Sequence, residues 1–68
     1  MRYAELVRKL RRLGCEFVRE ASGSHEVWQN PSTGGITVIP HHNREIAPKT
    51  LSSILRHLDL KQEDLRGT

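Results

Sequence analysis

Apolar residues recur every three or four positions near both ends of the chain and gather into short β-branched runs in the middle. Between residues 2 and 13, Tyr3, Leu6, Val7, Leu10 and Leu13 fall on one helical face, and Arg2, Glu5, Arg8, Lys9, Arg11 and Arg12 fall opposite. Gly14 follows the last periodic residue, where a left-handed helix terminator belongs. Residues 15–20 then read as a short strand, and Ala21-Ser22-Gly23-Ser24 as a turn-prone link. Residues 25–30 make a second strand. Asn30-Pro31-Ser32-Thr33-Gly34-Gly35 is the strongest turn signal, and Ile36-Thr37-Val38-Ile39 is a third strand ended or edged by Pro40.

Such tight connections predict an antiparallel meander. The pattern leaves open which strand face meets the helices, because Phe17 competes with Val18 and Val27 with Trp28, and a slip of one residue swaps the faces. Pro48 suits the first turn of a second helix, along which Leu51, Ile54, Leu55 and Leu58 form a core-facing stripe. Residues 60–66 add a further helical turn anchored by Leu65, and Gly67-Thr68 should fray. The predicted fold class is α+β, a two-layer α-β-β-β-α arrangement with two helices on one face of a three-stranded antiparallel sheet, forming a single domain over residues 1–68.

Composition narrows the function. The chain has 68 residues, and domains of about 60 residues bury only about 60% of their unfolded surface, so the core is thin. With 35% apolar residues and Tyr3, Phe17 and Trp28 as its aromatics, it has little volume for a buried cofactor, and none is expected. The formal charge is +3, with more Arg than Lys, which favours acidic partners and planar contact with phosphate. Cys15 is the single cysteine, so an internal disulfide and a paired-cysteine zinc or redox motif are excluded; it reads as a small buried residue. No run approaches the ~18 apolar residues of a membrane span, and Met1-Arg2-Tyr3-Ala4-Glu5 has no apolar signal core, so no membrane association and a cytoplasmic location are expected.

Gly23-Ser24-His25 carries the main chemistry. An imidazole with an ordinary pKa near ~6.5 has both protonation states accessible at neutrality. Beside an RNA phosphate it would take a proton from a nucleophile or give one to a leaving group without a metal. Gly23 would allow close backbone approach, and Ser24 would contact a phosphate oxygen or fix the imidazole tautomer. By itself the tripeptide is weak evidence, and a solvated or structural histidine at a strand start describes it better.

The surroundings carry more. Lys9-Leu10-Arg11-Arg12-Leu13-Gly14 leads into Cys15-Glu16-Phe17. Gly23-Ser24-His25 follows, with an aromatic at Trp28. Asn30-Pro31 and a glycine turn lead to Thr37-Val38-Ile39-Pro40 and His42, and Thr50-Leu51 precedes Ile54-Leu55. In this order and spacing, over residues 3–65, the chain resembles the HicA toxin family, also called YcfA-like proteins. The resemblance implies a fold similar to double-stranded-RNA-binding domains and the toxin role in a type II toxin–antitoxin pair. It also implies ribonuclease action on mRNA, the motif histidine, His25, as catalytic residue, and a HicB-type antitoxin as partner. Many relatives carry a second histidine where this chain has Glu26, whose carboxylate would orient His25 but also repel phosphate.

Other residues have two readings each. His42, at the family's Pro-x-His position, and His41 are a second general acid, RNA contacts, or loop histidines; their adjacency argues against joint metal ligation. His57 reads as a surface residue near a helix end. No His-Glu-x-x-His motif and no aspartate cluster suits a metal. Arg8, Lys9, Arg11 and Arg12 would track phosphates or form a solvated face, for which the Glu5–Lys9 spacing speaks. Arg19, Arg44 and Lys49 are alternatives nearer the histidines, Lys49 at a helix start that favours anions. Trp28 belongs to the core or stacks on a base. The oligomeric state is not set by these features.

Overall fold

The computed structural model describes residues 1–41 and 45–68. Along the chain run α1 (Tyr3–Arg12), β1 (Glu16–Glu20), β2 (His25–Asn30), β3 (Gly35–Pro40), α2 (Pro48–His57) and α3 (Gln62–Arg66). The three strands form one antiparallel sheet in the order β1-β2-β3. This is the α+β, α-β-β-β-α architecture expected from the pattern, with the extra turn near the end present as α3.

Strand faces follow from the register. Trp28 lies opposite Thr37 and Glu26 opposite Ile39, and all four are buried. These side chains, with Asn30, form the helix-facing side of the sheet, since alternate residues share a face. Trp28 and Ile39 share one core with Leu6, Val7 and Leu10 of α1, Leu51, Ile54 and Leu55 of α2, and Cys15, Ile46, Leu58 and Leu65. Ile36 and Val38 point the other way and are about half exposed. On β1 the register shifts between Phe17 and Arg19, a bulge around Val18. No residue of β1 is buried, but Phe17 meets Trp28 edge-on, with ring centroids 6.2 Å apart. Trp28 is therefore core and does not stack on a base.

Both long helices end in the same hydrogen-bond pattern. After α1, the N–H of Gly14 donates to Arg11 and that of Cys15 to Leu10. After α2, the N–H of Asp59 donates to Arg56 and that of Leu60 to Leu55. The terminator there is Asp59 with φ of 58°, a conformation that costs an L-residue with a Cβ about 1–2 kcal/mol. Its negative charge also sits at the negative end of the helix. Asp59→Gly is expected to stabilise the domain by up to about 1 kcal/mol, the glycine's greater unfolded-state freedom offsetting part of the gain. A rise in the urea midpoint at unchanged slope would register it.

Gly35 matters for space. A Cβ at this position would lie 2.3 Å from the His57 carbonyl oxygen and 2.9 Å from Leu58 Cα, both backbone atoms. The end of α2 thus rests directly on the start of β3. Asn30 adds a side-chain amide bond to the Leu58 carbonyl at 2.9 Å. Gly35→Ala is expected to push α2 off the sheet and cost at least the ~1–3 kcal/mol typical of overpacking. Denaturation followed by circular dichroism reads the loss directly.

Candidate functional site

His25 opens β2 and is exposed. Its backbone is held from both sides, because its carbonyl accepts the Ala21 N–H at 2.9 Å and the residue pairs with Pro40 of β3. The ring turns back over the preceding turn, with Nδ1 3.1 Å from the Ser22 carbonyl oxygen. A carbonyl only accepts, so Nδ1 carries a proton, and in the neutral ring Nε2 holds the lone pair. Gly23, with φ of 68°, makes that turn. A Cβ there would stand 3.7 Å from His25 Nδ1, an ordinary contact, so the need for glycine is conformational. Ser24 is exposed, and its carbonyl accepts the His41 N–H.

Glu26 does not orient His25. Successive residues of a strand face opposite ways, and Glu26 points into the helix side. There its Oε1 accepts the Tyr3 hydroxyl at 2.6 Å and the Trp28 Nε1–H at 3.0 Å. Its Oε2 lies 3.0 Å from His41 Nδ1. Burial alone would push the Glu26 carboxyl up. The hydrogen bonds from Tyr3 and Trp28 and the charge and hydrogen bond of His41 outweigh it and hold the group below the ordinary carboxylate range. Burial, then the hydrogen bond to Glu26 and its charge, push the Tyr3 hydroxyl up to about 12. Tyr3 also stacks on His41, with centroids 4.1 Å apart and planes 16° from parallel. With its carboxylate turned inward, Glu26 lies off the sheet face that carries His25.

The remaining positions separate. Arg8 and Arg12 lie exposed on the side of α1 away from its buried residues, in the helical layer and not on the His25 face of the sheet. Two other cations of that helix have structural partners: Lys9 Nζ donates to the Leu65 carbonyl at 3.0 Å, and the Arg11 guanidinium lies 5.2 Å from the Trp28 ring centroid. Lys49 is exposed in the first turn of α2, directly after Pro48. His57 Nδ1 lies 3.2 Å from Thr37 Oγ1, tying the end of α2 to β3. His42 and Arg44 fall outside the described residues. Among the described residues, no group of three or more His, Cys, Asp or Glu side chains is placed to hold a metal ion, and no helix is long and apolar enough to cross a membrane.

The sequence reading missed the Tyr3–Glu26–His41 cluster. Its signal was present: Glu26 and Trp28 are two apart and share a face, so a buried Trp28 implies an inward carboxylate in need of donors.

Residues 3–60 match the profile of the HicA toxin of bacterial toxin–antitoxin systems, a span that takes in α1, the whole sheet and α2. The chain belongs to the HicA toxin family. No curated protein sequence matches it. As a HicA-family protein it has the toxin role of a toxin–antitoxin pair, and the family implies an antitoxin partner. The matched span carries both the Gly23-Ser24-His25 turn and the Glu26 cluster, and it ends before α3.

Proposed function

We propose that this HicA-family toxin is an endoribonuclease that cleaves mRNA in the cytoplasm, with His25 as its general acid/base, no metal, and a HicB-type antitoxin that restrains it. One observation carries the reading: the Nδ1–H of His25 is held by the Ser22 carbonyl, which leaves Nε2 free on an exposed turn. A base so presented can take the proton of an RNA 2′-hydroxyl. The 2′-oxygen then attacks the adjacent phosphorus, the P–O5′ bond breaks, and the departing oxygen takes a proton, leaving a 2′,3′-cyclic phosphate and a 5′-hydroxyl end. The same nitrogen could activate water instead, and the product ends separate the two routes. Ser24 and the basic side chains are the proposed phosphate contacts, Lys49 and the family-position His42 ahead of the outward Arg8 and Arg12.

Incubation of the purified protein with mRNA, with and without EDTA, tests this. Cleavage that survives EDTA is expected. RNA binding with no cleavage would leave a non-catalytic RNA-binding module as the better reading, and EDTA-sensitive cleavage would put a metal in the mechanism.

A further inference from the structure

His41 has more fixed surroundings than an exposed loop histidine requires. Its N–H extends the β2–β3 ladder by one step to the Ser24 carbonyl, beyond the His25–Pro40 pair. From there the ring leans diagonally onto Glu26, with Nδ1 3.0 Å from Oε2, and lies flat on the Tyr3 ring. The Glu26 side chain is 10% exposed and that of His41 53%. A carboxylate only accepts, so Nδ1 carries a proton, and Nε2 is the nitrogen left for another partner on this half-exposed ring. Backbone hydrogen bond, carboxylate contact and ring stack together hold one imidazole in a single orientation.

Alternation decides what it would meet. His25 belongs to the open face of the sheet, whereas Glu26 and His41 belong to the helix face, where both meet Tyr3. Both histidines stand at the same end of the sheet, on neighbouring strands. Adjacent strands lie about 4.8 Å apart, so the two backbones are close while the side chains diverge around the sheet's end. This geometry does not suit two groups acting on one phosphate. It suits a strand of RNA crossing the sheet end, with one phosphate at His25 and the next at His41.

We propose that His41, held by Glu26 and Tyr3, is a binding site for the RNA phosphate flanking the one at His25. The proposal rests on the ribonuclease reading above. Phosphate oxygens only accept, so His41 binds as the imidazolium, donating Nδ1–H to Glu26 and Nε2–H to the phosphate.

The test compares wild type and His41→Phe, which keeps a ring on Tyr3 and removes both nitrogens. The substrates are a dinucleotide with only the scissile phosphate and an oligonucleotide with phosphates on both sides. On kcat/KM, the variant is expected to lose about tenfold more on the oligonucleotide than on the dinucleotide, the lower end of a charge-assisted hydrogen bond. Equal losses on both substrates, or none on either, would overturn the proposal. His41→Asn, which retains an N–H for Glu26, replaces the Phe variant if that fails to fold. Binding of a 2′-O-methylated oligonucleotide, which the 2′-hydroxyl route cannot cleave, keeps the two readings distinguishable. Loss of one contact should reduce the slope of log affinity against log salt by about 0.7. An unchanged slope sinks the His41 site whether or not the protein cleaves RNA, whereas a reduced slope with no cleavage by wild type upholds the site and removes the ribonuclease reading.

Discussion

His25→Ala is expected to reduce RNA cleavage by about 10²–10⁴-fold, the usual contribution of one positioned acid/base group. The fold should not follow. His25 is exposed, and its side-chain bond to the Ser22 carbonyl lies at the surface, where water replaces the lost donor. Surface substitutions of this kind usually change stability by less than about 0.5 kcal/mol. Rates measured on a defined RNA, with thermal unfolding of both proteins alongside, give the two halves of the result. Equal cleavage by variant and wild type would remove His25 from the chemistry. A loss of activity matched by a loss of folded protein would make the histidine structural. In cells, expression of the wild type should arrest growth and the variant should not.

Trp28→Ala has the largest expected effect on stability. Trp28 is fully buried and joins sheet and helices: it shares the core with the α1 and α2 leucines, makes an edge contact with Phe17 of β1, and carries the Arg11 guanidinium over its ring. Truncating a buried Trp costs about 3–5 kcal/mol. Domains have about 0.05–0.15 kcal/mol per residue, so a chain this short has roughly 3–10 kcal/mol in total. The substitution also removes the Nε1–H that Glu26 accepts at 3.0 Å, weakening the support of a buried carboxylate. A large unfolded fraction at 25 °C is the expected outcome, read by far-UV circular dichroism and urea titration. Trp28→Phe keeps a ring and loses only the donor and part of the volume, so it should retain a cooperative transition. If Trp28→Ala melts like the wild type, the packing described here is wrong.

The legible parts of this protein were those written in local spacing. The stripe Leu51, Ile54, Leu55 and Leu58 predicted α2 and its buried face, and Gly14 marked the end of α1. The match over residues 3–60 agrees with motifs read in order along the chain. Glu26 shows where local reading stops. Its adjacency to His25 suggested a partner, but adjacency in a strand means opposite faces, and only the register with Ile39 shows that it is buried. Phe17 and Val18 left the face of β1 undecided because the strand carries a bulge and buries neither residue.

Lys9 and Arg11 make the same point for charge. In the sequence they join Arg8 and Arg12 as one basic face. In the fold one binds the Leu65 carbonyl and the other covers Trp28. Gly35 likewise looks like a turn residue until α2 is seen to rest on it.

By itself the sequence determined the order of elements, the helix faces, the family, and the Gly23-Ser24-His25 turn, because these depend on residues near one another along the chain. Tertiary structure alone decided that Trp28 is core, that Glu26 turns inward to hold His41, and that His25 and His41 share one end of the sheet. Those facts arise from strand register and from α1 and α2 closing over one face. They join Tyr3, Glu26 and His41, residues too far apart in the chain for any local pattern to place together.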